Sequence, residues 1–309
     1  MQFAPPFSFG VYPRDPAPGV TALSQTLGRQ HCILIGTGIQ RVAQLLGAND
    51  GPAVERLNPL GTADILLVCE HASNRLPERL GTLGLPRDAL EGHIAWDIGA
   101  GAVTDRLSDI LDAQAILQRF SRLCYNCNRA ADAPDVIPLE YRGRQIPGNA
   151  ELAPEARQLR REAIYLPFEA AIERGLNTIG RRSPDGMLVA VQSFSPDMPG
   201  AADTEISLVH DEDTRLADAL HAIFRHDDTY RVARGVPYSR ADGATYTLRR
   251  HGVSRGLPNV VITIRNELIR DVAGQDLMAR YLASTLRDAV AEVRRSRRLA
   301  PAHSGRQVG

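Results

Sequence analysis

The sequence predicts an α/β fold, a mixed and largely parallel central sheet with helices on both faces. Four short apolar runs carry most of this reading: residues 65–69 (ILLVC), 113–118 (AQAILQ), 187–191 (MLVAV) and 260–264 (VVITI). Continuous apolar runs of that length suit strands buried on both sides. Helix-period stretches separate them, and strands alternating with helices imply a parallel sheet. Each run also ends in a polar cluster: Glu70-His71, Asn128-Arg129, Gln192-Ser193 and Arg265-Glu267. In such sheets ligands bind beyond the carboxyl ends of the strands, so one sheet edge could gather these four clusters.

In chain order, residues 1–57 read as an N-terminal extension. Their first part is rich in proline and aromatics, and residues 31–43 read as a short strand, a Gly36-Thr-Gly38 turn and a short helix. The turn lacks the third glycine of a dinucleotide fingerprint, because Arg41 stands there. Residues 58–298 form the main domain. After the first strand, residues 100–111 carry Val103, Leu107, Ile110 and Leu111 at helical spacing. A helix from Pro154 to Ile164 runs on toward an expected kink at Pro167. A short amphipathic helix follows at 215–224. Leu277, Tyr281, Leu282, Leu286, Val290 and Val293 form an apolar stripe on a long final helix. Residues 299–309 read as a frayed tail.

Composition excludes several functions. The 309 residues hold 36 basic and 36 acidic side chains, for a net charge of zero. A general electrostatic grip on nucleic acid is not expected. No apolar run reaches the roughly 18 residues of a membrane span, and the N-terminus does not read as a signal peptide, so a cytoplasmic location is expected. Every basic residue is arginine. Schiff-base chemistry, a lysine base and a phosphate-loop lysine are therefore excluded. Four cysteines, Cys32, Cys69, Cys124 and Cys127, are too few for a disulfide scaffold. Cys124 and Cys127 have redox spacing but lack the usual surrounding pattern.

Among the polar clusters, Glu70-His71 offers a metal ligand, a base, or a capped helix start. His93 and Asp97 lie four apart and would share a helix face. Arg75, Arg129, Arg144 and Arg265 fall in or beside the strand ends. With Gly148-Asn149 they suggest a pocket for a small acidic ligand, since guanidinium forks suit carboxylates.

The stretches LLVCEHASNRLP (66–77), HIAWDIGA (93–100), FSRLCYNCNR (120–129), IPGN (146–149), QSFSP (192–196), PYS (237–239) and HGVSRGLPNVVITIRNELI (251–269) resemble the N-formylglutamate amidohydrolase family over about residues 55–290. The resemblance implies a zinc-carboxypeptidase or aspartoacylase type of fold. It implies hydrolysis of the linear amide of N-formyl-glutamate, or of a similar small acidic N-acyl amino acid, with zinc as cofactor. It places His71 at the metal with Glu70 beside it, and the Asn128-Arg129 pair on a substrate carboxylate. Asn149, Ser193 and Arg265 are further candidate substrate contacts, and Glu267 is a candidate catalytic carboxylate. The sequence departs from the family where chemistry is concentrated. Gln192 replaces a histidine expected to bind metal, Thr263 a glutamate expected to act as base, Asn126 an aspartate, and Glu169 a histidine. These changes imply a zinc site that is weakened or lost, with Gln192 a poor ligand. The alternatives are a divergent hydrolase, a non-catalytic homologue binding a small acidic metabolite or a partner protein, and a cysteine-based redox protein.

Overall fold

The computed structural model describes residues 44–238 and 240–299. The strand–turn–helix expected at 31–43 and the thiol of Cys32 lie outside the described residues. Seven strands form one sheet: β1 (Val54–Leu57), β2 (Ile65–Cys69), β3 (Gln114–Gln118), β6 (Met187–Phe194), β7 (Ile206–Val209), β8 (Val232–Arg234) and β9 (Asn259–Arg265). A separate hairpin pairs β4 (Glu140–Tyr141) with β5 (Arg144–Gln145). The order across the large sheet is β1-β3-β2-β6-β9-β7-β8. The middle four, β3-β2-β6-β9, run parallel. Edge strand β1 is antiparallel to β3, and β7 is antiparallel to β9. The predicted mixed, largely parallel sheet with covered faces is the one observed. Residues 54–57, read from sequence as part of the N-terminal extension, form β1. Their half-exposed pattern is that of an edge strand, with no continuous apolar run to mark it.

Helices cover both faces because strand side chains alternate between them. On one face Leu67, Val189 and Ile262 pack under α2 (Ala100–Leu111), α5 (Arg215–Phe224) and α6 (Val272–Leu299). On the other, Leu66, Val68, Leu188, Ala190 and Val261 pack under α4 (Leu166–Arg182). Short α1 (Arg87–Glu91) and the 80–96 loops close a smaller cluster with Leu123 and Ile146.

Two helical expectations need correction. The stripe on α6 leaves Leu277 62% exposed, and the adjacent Met278 takes its buried place. Between α3 (Pro154–Arg160) and α4 the helix widens into a π turn at Arg161–Tyr165. The irregularity thus precedes Pro167, whose missing N–H cannot serve the carbonyl four residues back.

Candidate functional site

The carboxyl ends of β2, β3 and β6 open onto a cavity of about 410 Å³. Its wall includes His71, Asp97, Arg122, Asn126, Asn128, Arg129, Gln192 and Tyr238. His71 follows β2 directly, and Gln192 lies near the end of β6. Asn126, Asn128 and Arg129 sit on the turns after β3.

Asp97 organises one side of this cavity. It is 1% exposed and sits in a turn that Asp97 N–H ties to the His71 carbonyl at 2.9 Å. Its Oδ2 lies 3.3 Å from His71 Nδ1, and its Oδ1 accepts from Arg122 Nη2 and stands 3.6 Å from His93 Nδ1. Burial alone would raise this carboxyl. The Arg122 guanidinium, with His71 and His93, instead holds it well below the usual carboxylate range. His93 and Asp97 do meet, but across a turn and not on the helix face the spacing predicted. Burial and the nearby Arg122 cation push His93 down to about 4. Its Nε2 pairs with the Tyr238 hydroxyl at 3.0 Å.

The other nitrogen of His71, Nε2, lies 2.8 Å from Asn126 Oδ1. Both ring nitrogens therefore face oxygens, and a neutral ring can donate to only one of them. Asn126 Oδ1 also accepts from the Asn128 N–H at 3.1 Å. Asn128 is locked in turn: its Nδ2 donates to Ala244 O, and its Oδ1 accepts from Thr247 N and Oγ1. Beside it, Arg129 Nε donates to Asp135 Oδ2 at 2.7 Å, and its guanidinium lies along Gly243.

On the far side of β2, Gln192 Nε2 donates to Glu70 Oε2 at 3.1 Å. Gln192 pairs in register with Thr263 on β9, and Thr263 with Ser207 on β7. Glu70, Gln192 and Thr263 continue the α4 face of the sheet and are 1%, 4% and 0% exposed. Among the described residues, Glu70 Oε1 and Thr263 Oγ1 have no hydrogen-bond partner.

The residues read from sequence divide accordingly. His71, Asn128, Arg129 and Gln192 line the cavity, and Glu70 lies behind Gln192. The others stand elsewhere. Asn149 is fully buried, with Nδ2 on the carbonyls of Leu123 and Pro138 and Oδ1 taking the Arg160 guanidinium. Ser193 follows Gln192 and so points to the opposite face, where its hydroxyl is buried. Arg265 grips the carbonyls of Ala201, Ala202 and Thr204. Glu267 is exposed on a short 3-10 turn past β9, away from the cavity wall. Glu169 is paired with Arg250 at 2.6 Å. Of the four arginines singled out in the sequence, Arg129 alone lines this cavity. Sequence reasoning placed Arg122 after the 113–118 strand but gave it no role, and it passed over Tyr238 and the Asp97–His71 contact. The stretches HIAWDIGA and PYS contain Asp97 and Tyr238, but not which side chain each meets.

A protein zinc site takes three or four nitrogen, sulfur or carboxylate ligands. Among the described residues no group of three or more His, Cys, Asp or Glu side chains, the His71–Asp97–His93 contact included, is arranged to hold a metal ion. At the strand ends where the resemblance implies zinc, both His71 nitrogens face other partners. Glu70 takes the Gln192 amide, and Gln192 offers only an amide oxygen. These residues do not fit that metal. The cysteines fit redox chemistry no better. Cys124 and Cys127 are buried, and burial pushes the Cys124 thiol up to about 12 and Cys127 further still, away from the reactive thiolate.

The chain belongs to the N-formylglutamate amidohydrolase family, whose model matches residues 63–270. It is 38% identical to the gene product Atu2144 from Agrobacterium tumefaciens, covering 81% of this chain and 100% of that one, with a TM-score of 0.78. The N-formylglutamate amidohydrolase from Ralstonia eutropha JMP134 shares the fold, at 19% identity and a TM-score of 0.62 over 79% of this chain and 99% of that one. No curated protein matches the chain.

Proposed function

We propose that this chain hydrolyses the linear amide of a small acidic N-acyl amino acid, of which N-formyl-L-glutamate is the first candidate. One observation carries the reading. A single cavity holds a histidine braced by a buried carboxylate, His71 on Asp97, together with Arg129, a guanidinium suited to a ligand carboxylate. In this reading Arg129 and Asn128 position the acid, Asn128 by fixing the turn that carries Arg129. His71 moves the proton. Asp97 orients its ring by accepting Nδ1–H, and Nε2 takes a proton from the water that attacks the acyl carbon and hands it to the leaving nitrogen as the amide C–N bond breaks. No step is assigned to zinc, because the residues present do not fit it.

The test is formate release from N-formyl-L-glutamate, followed in the wild type and in Asp97→Asn. Turnover that falls by roughly 10²–10⁴-fold in the variant supports a general acid–base role for His71. Wild-type turnover at background removes the hydrolase reading.

A second reading, a non-catalytic homologue that binds a small acidic metabolite, is favoured by Thr263. A buried hydroxyl stands where the resemblance implies a base, and it cannot take a proton from water at neutral pH. That reading predicts ligand binding without formate release.

A further inference from the structure

Asn126 and Gln192 flank the Glu70-His71 pair, one on the β3 side and one on the β6 side of the end of β2. Each is an uncharged amide, and the orientation of each is set by a partner that can play only one role. The backbone N–H of Asn128 can only donate, so the atom of Asn126 it meets is the oxygen. That leaves the Asn126 Nδ2 group without a partner among the described residues. The Glu70 carboxylate accepts, so the atom of Gln192 it meets is the nitrogen, and Gln192 Oε1 is the atom left over. Both side chains line the same 410 Å³ cavity. Its wall therefore presents one N–H₂ donor and one C=O acceptor, neither charged and neither paired among the described residues.

From this juxtaposition we propose that Asn126 and Gln192 are specificity-determining residues that read the uncharged amide of the ligand. Asn126 Nδ2 donates to the acyl carbonyl, and Gln192 Oε1 accepts the amide N–H. Arg129 takes the carboxylate. This rests on the reading of the cavity as a site for acidic N-acyl amino acids and deepens it: the site selects the intact acyl compound over the free amine. A protonated amine can donate to Gln192 but has nothing to accept from Asn126, and a cation gains nothing from an N–H₂ group. Asn126 thus sets the preference for amide over amine, while Gln192 adds affinity for either.

The probes are N-acetyl-L-glutamate and N-ethyl-L-glutamate, which match in size and differ in the carbonyl and the amine charge. Calorimetric titration of the wild type should show N-acetyl-L-glutamate binding roughly tenfold tighter, near the upper end for one neutral hydrogen bond. Asn126→Asp keeps the acceptor for His71 and Asn128 and swaps the free donor for a carboxylate oxygen. It should abolish or invert the preference. Should circular dichroism show that variant unfolded, Asn126→Leu takes its place and should erase the preference without inverting it. Gln192→Met should weaken N-acetyl-L-glutamate by roughly 2–12-fold and N-ethyl-L-glutamate by more, because its ammonium makes the charge-assisted bond, so the preference for the amide should widen. Equal wild-type affinities, binding of neither ligand, or a preference that survives in the Asn126 variant would each overturn the proposal. Formate release separates this from the function itself. An intact preference without turnover defeats the hydrolase reading alone, and turnover with an unaltered preference in the variant defeats the amide-reading pair alone.

Discussion

Arg129 shows how one side chain can be legible in a sequence while its setting is not. It is a guanidinium two residues past a CxxC spacing, and the structure places it on a cavity wall, 22% exposed and bonded to the more open Asp135. A surface ion pair of this kind is weak and easily exchanged for a ligand carboxylate. Arg129→Ala should weaken binding of N-acyl-glutamate ligands by about 1.5–3 kcal/mol, the range for hydrogen bonds to charged groups. Equal calorimetric affinities in the two proteins would take Arg129 out of the ligand site. Asp97 differs in kind. It is buried and meets His71, His93 and Arg122 together, so changes to it act through those partners.

At the scale of elements, two junctions set the geometry. The first is the entry to α2. Gly99 caps that helix with φ at +79°, and a Cβ there would overlap the Ile269 carbonyl oxygen. Both the left-handed backbone and the overlap disfavour any other residue. Gly99→Ala should lower stability by about 2–3 kcal/mol, the scale of overpacking a tight contact. An unchanged urea midpoint would mean that α2 and the 266–269 turn separate freely. The second junction is the polar step from β2 through β6 to β9, where Glu70, Gln192 and Thr263 continue an apolar face. With an amide and a hydroxyl in this step, zinc should leave the protein on dialysis against a mild chelator. The double change Gln192→His with Thr263→Glu should raise its occupancy, read by elemental analysis. A stoichiometric zinc that survives the chelator in the unmodified protein would mean that ligands other than these hold it.

Across the whole molecule, two buried histidines make stability depend on pH. His93 and His251 are 8% and 4% exposed, and burial is the main cause that lowers each from 6.5 to about 4. In the unfolded chain both take a proton near 6.5, so between that value and about 4 the unfolded state binds more protons. Stability is then fully present above pH 6.5 and declines as the pH falls toward 4. Each group contributes about 3 kcal/mol over that window, because every tenfold loss of proton affinity on folding is worth about 1.4 kcal/mol. Urea unfolding at pH 7 and pH 4.5 should show the loss, and His93→Gln or His251→Gln should each reduce it. A flat profile in the unmodified protein would show that both rings are protonated in the folded state. Asp97, held below the carboxylate range, adds its own loss only at lower pH. Among the described residues no helix is long and apolar enough to cross a membrane.

The sequence by itself determined the sheet's central strands, because strands buried on both faces must be continuously apolar. It determined α2, α5 and most of α6 by helical period, and it located the polar clusters at strand ends. It could not show β1, β7 or β8: these are short, lie at or near the sheet's edges, and break the apolar signal or blend into loops. Nor could it separate His71 and Arg129 from Asn149, Arg265 and Glu267, since all five are polar residues beside strands or turns. Tertiary structure decided that. Strand alternation turned Gln192 into the cavity and Ser193 away from it. Carbonyls left open by the 201–204 loop drew Arg265 off to satisfy them. The approach of three chain segments more than twenty residues apart brought Asp97 and Asn126 against His71, and Arg122 against Asp97. Which donor meets which acceptor depends on distances between segments, and these exist only once the sheet has gathered them.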